Sequence, residues 1–235
     1  MPGSGPADDV ATRIAQRTLA KRRAGYAGEV RALLDAALDV MRRCGTASRP
    51  RVADIVAAAG LSNDAFYRHF PSKDALVTAI LEDGRERLSS YLAHQMAKEA
   101  RPEARVRRWV EGVLSQAVGE VAATTLAVLW NAGSVGEGPA SGRHFASAPL
   151  AELLREPFAA LGSADPVLDA SLATHAVLGT LSDHLWRRDE PAPAEVEAVT
   201  AFCLRTAAGP GRVTARRARR GPGAPPPAPT ATARP

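Results

Sequence analysis

Six side chains suited to hydrogen-bonding nucleic acids stand close together in this sequence. Lysine, histidine and tyrosine side chains can donate to phosphate oxygens, whereas asparagine pairs well with adenine, arginine with guanine and aspartate with cytosine. A segment that holds both kinds of group predicts contact with a DNA backbone and with base edges together. The six are Asn63, Asp64, Tyr67, Arg68, His69 and Lys73.

The surrounding residues predict two short helices joined by a tight turn. Gly60 supplies a backbone conformation that other residues would strain. Ser62 is placed to cap the second helix, and Pro71 ends it. Such a pair is a helix-turn-helix, whose second helix enters the DNA major groove. Its expected inward side chains are Val52, Ile55, Val56, Ala59, Leu61, Ala65, Phe66 and Phe70.

Longer helices flank this pair, and the whole composition favours an all-α fold. An amphipathic pattern runs from Val30 to Met41 and stops at Gly45. After the pair, Ser72 can cap a helix that continues through Leu76 to about Met96. The chain is poor in aromatic residues and in β-branched runs, which also favours helices.

These segments resemble the N-terminal domain of the TetR (tetracycline-repressor-like) family of transcriptional regulators. The close resemblance covers roughly residues 30–80, about a fifth of the chain, and the remainder is similar only in its helical layout. It rests on Ala36-Ala37-Leu38-Asp39-Val40-Met41, Gly45, Asp54-Ile55, Ala59-Gly60-Leu61-Ser62 and above all Phe66-Tyr67-Arg68-His69-Phe70-Pro71-Ser72-Lys73-Asp74-Ala75-Leu76.

The resemblance divides the DNA-contacting residues into two groups. Phosphate contacts fall on Tyr67, His69 and Lys73, and base reading falls on Asn63, Asp64 and Arg68. The structural alternatives are a half-buried core position for Tyr67, a hydrogen-bonded surface histidine at 69 and a dipole role for Asp64. The full candidate set is Arg49, Arg51, Ser62, Asn63, Asp64, Tyr67, Arg68, His69 and Lys73.

The sequence departs from the family pattern at the start of the second helix. The family commonly has a threonine there and a basic residue two places later, whereas this chain has Arg51 and Ala53. Arg49 or Arg51 can replace the missing phosphate contact, since both side chains can reach a DNA backbone.

Charge is divided unevenly along the chain. Residues 1–80 carry a net charge of +4, residues 81–208 carry −5 and residues 209–235 carry +6. This division is expected if only part of the protein meets a polyanion. The predicted segments are a disordered or frayed basic leader at 1–24, a DNA-binding domain at 25–75, a helical effector-binding and dimerisation domain at 76–208, and a disordered Arg/Pro-rich tail at 209–235.

The leader and the tail each leave two interpretations open. The leader can follow the minor groove or backbone of DNA as an arm, or it can be a solvated segment without an ordered role. The tail can add salt-sensitive affinity for DNA, or it can be merely tolerated. The basic residues of the leader are Arg13, Arg17, Lys21, Arg22 and Arg23.

Other classes of protein find little support in the sequence. Cys44 and Cys203 are the only cysteines, so a reducing cytoplasm is the expected location. The first residues lack the shape of a signal peptide, and no run reaches a membrane-spanning length. We find no metal-ligand or phosphate-loop motif, so we expect no catalysis, metal, cofactor or membrane partner.

Two apolar segments near the end of the chain predict a homodimer. Helical patterns lie near 103–118, 120–132, 147–161, 166–187 and 194–207, with a loop at 133–142. The last two are apolar enough to need covering, and the resemblance implies a four-helix bundle with a second subunit, which would present two recognition helices to a palindromic operator. The alternative is that they pack only within one subunit.

The resemblance also implies a small-molecule effector. A buried pocket needs apolar walls and a few polar anchors, and the candidates are Trp109, Gln116, Trp130, Asn131 and His175. We therefore expect a sequence-specific transcriptional regulator, a repressor that its effector releases from the operator. The alternative is a DNA-binding regulator or activator without an effector, and a cavity behind Gln116 and Trp130 distinguishes the two.

Overall fold

The computed structural model describes residues 9–132 and 143–208, and its regular elements there are all helical. This confirms the all-α fold. The predicted loop at 133–142 and tail at 209–235 lie outside the described residues. The helices are α1 (Val10–Cys44), α2 (Val52–Ala59), α3 (Asn63–His69), α4 (Lys73–Met96), α5 (Pro102–Leu114, then a 3-10 turn at Ser115–Ala117), α6 (Gly119–Ala132), α7 (Arg143–Leu161), α8 (Pro166–Arg187) and α9 (Pro193–Ala207).

The first four helices share an apolar core around the helix-turn-helix. Leu33 and Met41 of α1 pack with Ile55 of α2, Phe66 of α3 and Leu76 of α4, and all five side chains are fully buried. Because this core fixes α3 from behind, the opposite face of α3 is left to solvent.

The predicted caps and turn of this region are present. The Ser62 hydroxyl accepts from the backbone N–H of Ala65 at 3.1 Å, and the Ser72 hydroxyl accepts from that of Ala75 at 3.1 Å. Each cap satisfies one of the N–H groups that the first turn of a helix leaves without a partner. Gly60 has φ of 65°, in the left-handed region where glycine is favoured.

Helix α1 begins inside the predicted basic leader. The sequence predicts a disordered or frayed leader at residues 1–24, and from Val10 onward the chain is helical and continues without a break to Cys44. Gly25 and Gly28 both lie inside this helix. Residues before Val10, apart from Asp9, lie outside the described part.

The later helices enclose a second core. Trp109, Val106 and Val113 of α5 are fully buried there, together with Leu154 and Phe158 of α7. Helix α5 lies centrally, in contact with α4, α7, α8 and α9. None of the described helices is by itself long and apolar enough to cross a membrane, although Pro102–Ala117 and Gly119–Ala132, bent by 74°, together meet the length and composition required.

Helix α6 belongs to both cores and therefore joins them. Its Ala127 and Val128 are buried with the helix-turn-helix core, while Leu126 is buried with the second core. A further link runs from the end of α8, where the Arg188 guanidinium donates to the Thr46 hydroxyl at 2.7 Å. Thr46 lies in the loop between α1 and α2, so the end of α8 touches the helix-turn-helix region directly.

Gly112 provides a test of how closely α4 and α5 pack. A Cβ at this position would overlap the Leu92 side chain, which is fully buried and cannot easily move. We expect Gly112→Ala to lower the free energy of unfolding by about 1–3 kcal/mol, as overpacking of a core does. Gly84→Ala is the matched control, because its Cβ meets open space in α4, and it should raise the free energy by about 0.5–1 kcal/mol. Urea denaturation measures both, and equal effects would contradict this packing.

Candidate nucleic-acid interface

Helix α3 presents a polar face to solvent. Asn63, Asp64, Tyr67 and Arg68 are all exposed, and the Tyr67 side chain retains 59% of its accessible surface. The Tyr67 ring meets the buried Phe66 ring edge-on, with centroids 5.2 Å apart, so the core supports one edge of this exposed residue. Ser62 is exposed too, but its hydroxyl already caps the helix. This face brings together an amide, a carboxylate, a phenol and a guanidinium, as recognition of base edges and phosphates requires.

His69 lies elsewhere, and here the sequence expectation is wrong. The sequence predicts an outward-facing phosphate contact at this position, but the His69 side chain is fully buried against α1. Its Nε2 is 2.7 Å from the Glu29 carboxylate, and its ring lies 4.1 Å from the Tyr26 ring in an edge-on arrangement. The other ring nitrogen, Nδ1, is buried and has no hydrogen-bond partner. The ring therefore donates from Nε2 and serves to join α3 to α1.

Glu29 and Tyr26 of α1 hold the last turn of α3. The Glu29 carboxylate also accepts from the Arg68 guanidinium at 3.2 Å, and the Tyr26 hydroxyl donates to the backbone oxygen of Arg68 at 3.4 Å. The hydrogen bond from His69, supported by the nearby positive charge of Arg68, lowers the pKa of Glu29. We call Tyr26, Glu29, Arg68 and His69 the α1–α3 clamp.

Neither Tyr26 nor Glu29 is among the site residues predicted from the sequence. A signal was available for Tyr26, because it precedes Val30 and Leu33 at the spacing of the buried stripe of α1. No comparable signal marks Glu29, whose partner His69 is forty residues away along the chain.

Three basic residues lie beside the helix-turn-helix. Lys73 is half-buried at the start of α4, and its ammonium group is 3.5 Å from the backbone oxygen of Pro50. Arg49 and Arg51 flank Pro50, and both are exposed. All three cations therefore gather around one loop, where they can meet a phosphate backbone.

The five candidate effector residues are spread over different environments. Trp109 is fully buried and donates from Nε1 to the backbone oxygen of Leu150 at 3.0 Å, which makes it part of the core. Gln116 is half-buried in the 3-10 turn, and Asn131 is buried and donates to the backbone oxygen of Ala127 at 2.8 Å.

The other two candidates lie near the surface. Trp130 is 39% exposed and packs against the exposed Trp186, with ring centroids 6.0 Å apart. His175 is exposed, with Nδ1 2.7 Å from the backbone oxygen of Ser171.

A cleft lies instead where the two cores meet. It encloses about 330 Å³ between the end of α1, the start of α6 and the end of α8. None of the five candidates lines it. Its wall includes His184, whose Nδ1 is 2.5 Å from the Asp189 carboxylate and whose Nε2 is 3.0 Å from that of Glu195. These contacts fix the turn between α8 and α9. Within the described residues, no group of three or more His, Cys, Asp or Glu side chains is placed to hold a metal ion.

Comparison with known proteins identifies the helix-turn-helix region. Residues 33–80 match the family model described as bacterial regulatory proteins, tetR family. This match spans α2 and α3 and parts of α1 and α4. No curated protein matches the chain.

Solved structures share the overall fold. The fatty acid degradation regulator FadR from Bacillus halodurans superposes with a TM-score of 0.56 at 18% identity, covering 75% of this chain and 94% of FadR. A TetR-family transcriptional regulator from Pectobacterium atrosepticum gives 0.52 at 22% identity, covering 78% and 92%. RolR in complex with resorcinol gives 0.50 at 17% identity, covering 85% and 97%.

The α1–α3 clamp predicts a pH dependence of stability. Because the folded pKa of Glu29 is lowered from its ordinary value of 4.5, its contribution is present above that value and is lost as the pH falls through the folded pKa. We therefore expect Glu29→Gln to be less stable than wild type at neutral pH, and the difference to shrink in acid below about pH 4.

Thermal denaturation across this pH range measures the effect. Glu86→Gln is the control, since Glu86 is an exposed glutamate on α4, and it should follow the wild-type profile. A difference between Glu29→Gln and wild type that stays constant with pH would contradict the clamp.

Proposed function

We propose that this chain belongs to the tetR family of bacterial regulatory proteins, whose model matches residues 33–80, and that it is a sequence-specific DNA-binding regulator of transcription. The observation that carries the proposal is the polar face of α3, which is exposed, capped and held by buried contacts on its other side. A rigid helix with such a face fits the major groove of a DNA duplex.

We divide the contacts by chemistry and position. Lys73, Arg49 and Arg51 surround one loop and provide backbone contacts, with the Tyr67 hydroxyl as an uncharged partner. We assign the reading of base edges to Asn63, Asp64 and Arg68. His69 is removed from the phosphate contacts because its buried ring instead joins α3 to α1.

We propose that the protein acts as a homodimer through α8 and α9. Along α8, Leu168, Leu172 and Trp186 are each more than half exposed, and Phe202 of α9 is 42% exposed. These positions on α8 lie on one side of the helix, so they form an apolar surface that a second copy can cover. A twofold axis would then present two α3 helices to half-sites about 34–36 Å apart.

We propose further that the protein is a cytoplasmic repressor whose operator binding is relieved by a small molecule. Support comes from the fold shared with RolR, which binds resorcinol, and from α6, whose side chains belong to both cores. A ligand that favours one arrangement of the second core would shift the helix-turn-helix with it. A regulator or activator without an effector is the second candidate, and it is favoured by the burial of Trp109 and Asn131 in packed surroundings.

Two substitutions separate backbone contacts from base contacts. Lys73→Gln should weaken binding to every duplex and reduce the slope of log Kd against log salt by about 0.9 per lost phosphate contact. Asn63→Ala should leave that slope unchanged but reduce the preference for the selected duplex over random DNA, at a cost of about 1–3 kcal/mol. Fluorescence anisotropy at several salt concentrations measures both. If the two variants behaved alike, the division of roles would be wrong.

A single charge on α8 tests the dimer. Leu172→Glu places a carboxylate in the proposed interface and should convert a dimer to a folded monomer, because a buried unpaired charge is costly. Val121→Glu is the control, since Val121 is a similarly exposed apolar residue on α6. Sedimentation velocity gives the result, and an unchanged dimer in Leu172→Glu would exclude α8 from the interface.

A further inference from the structure

The first part of α1 projects beyond the rest of the protein. Every residue from Val10 to Gly28 is exposed, although all of them are helical. The sixteen residues from 10 to 25 correspond to about 24 Å of helix at about 1.5 Å per residue. We call residues 10–25 the α1 extension. Burial in its own chain does not account for this helix, so its surface is available to a partner.

The α1 extension carries only positive charge. It holds five basic residues and no acidic residue. Other cations nearby are compensated, since Arg31 pairs with Asp83 and Arg68 pairs with Glu29. Among the described residues no carboxylate lies within ion-pair distance of the five cations of the extension, which are Arg13, Arg17, Lys21, Arg22 and Arg23. Such uncompensated charge favours a polyanionic partner.

The spacing of these cations suits a linear partner. Arg13, Arg17 and Lys21 recur every four residues, so they form one line along the helix, with steps of about 6 Å. The exposed apolar residues of the extension do not form one continuous face: Val10 and Ile14 are four positions apart and share a side, but Leu19 points about 140° away from Ile14. A membrane-surface helix needs one continuous apolar face, so this pattern favours a charged backbone over a lipid surface.

The position of the α1 extension relative to α3 identifies the partner. The extension begins where the α1–α3 clamp ends, next to Tyr26, which bonds to Arg68 in the last turn of α3. One end of the α1 extension is therefore held beside the last turn of α3. A duplex bound by α3 would therefore lie close to this end of the extension, whose length equals that of roughly seven base pairs at about 3.4 Å each.

We infer that the α1 extension binds the phosphate backbone of the duplex that flanks each operator half-site. This inference rests on the proposed function and adds a second DNA-contacting surface to it. The contact is independent of sequence, because it uses charge alone. It lengthens the bound site and raises affinity, while the choice of operator stays with α3.

The test compares two lengths of the duplex that wild-type protein selects from random DNA. One contains only the selected operator. The other adds about 10 base pairs at each end, which is longer than the roughly seven base pairs that the α1 extension can span. The variant Arg13→Gln/Arg17→Gln/Lys21→Gln keeps good helix formers but loses three charges. The control Lys98→Gln/Arg101→Gln/Arg155→Gln loses three exposed charges that lie outside the α1 extension, the helix-turn-helix, α8 and α9. Circular dichroism and thermal denaturation check that both fold like wild type.

The expected result distinguishes the extension from the rest of the interface. Wild type and control should bind the longer duplex more tightly, with a steeper salt dependence. The extension variant should lose this gain in affinity. On the longer duplex its slope of log Kd against log salt should fall by about 0.9 per lost contact, roughly 2.7 per subunit. On the short duplex it should bind as wild type does. Hydroxyl-radical footprints should shorten at both ends.

Three outcomes would contradict the inference. An extension variant that keeps the wild-type salt slope and footprint would overturn it. So would a wild type that selects an operator but gains nothing from flanking DNA, and in that case the proposed function stands. A wild type that selects no sequence at all would overturn the proposed function and this inference together.

Discussion

A single carboxylate, that of Glu29, fixes the end of helix α3. It accepts hydrogen bonds from the buried His69 ring and from the Arg68 guanidinium, and the Tyr26 ring packs edge-on against the His69 ring. Helix α3 has only seven residues, so it is too short to hold its own shape in water. Its geometry depends on the caps at one end, the Phe66 core behind it and this clamp at the other.

The same dependence links the exposed polar face of α3 to the rest of the molecule. Helix α1 carries the clamp and also packs against α6, which contributes Ala127 and Val128 to the core behind α3. At its other end α1 leads into the loop that Arg188 holds through Thr46. A rearrangement of the later helices would therefore reach α3 through packed side chains and one hydrogen bond, which is a physical basis for coupling between two sites.

The sequence predicted the elements that local chemistry determines. Ser62 and Ser72 cap the helices as expected, Gly60 makes the turn, and Pro166 begins α8. It did not predict the burial of His69, because that depends on a carboxylate contributed by a distant helix. For residues 10–24 the sequence predicts no more than a disordered or frayed leader, since Gly25 and Gly28 weaken a helix on average and the extension buries nothing that periodicity could reveal. The candidate effector residues follow from residue type, and residue type alone does not separate a core tryptophan such as Trp109 from one that lines a pocket.

The central claim is that two copies of α3 read a particular DNA sequence from the major groove. Selection of bound duplexes from random DNA by the purified wild-type protein, at physiological salt, tests it most directly. We expect an enriched palindrome whose half-sites lie about one helical turn, or 34–36 Å, apart. Folded protein that enriches no sequence, and binds all duplexes equally through charge, would contradict it.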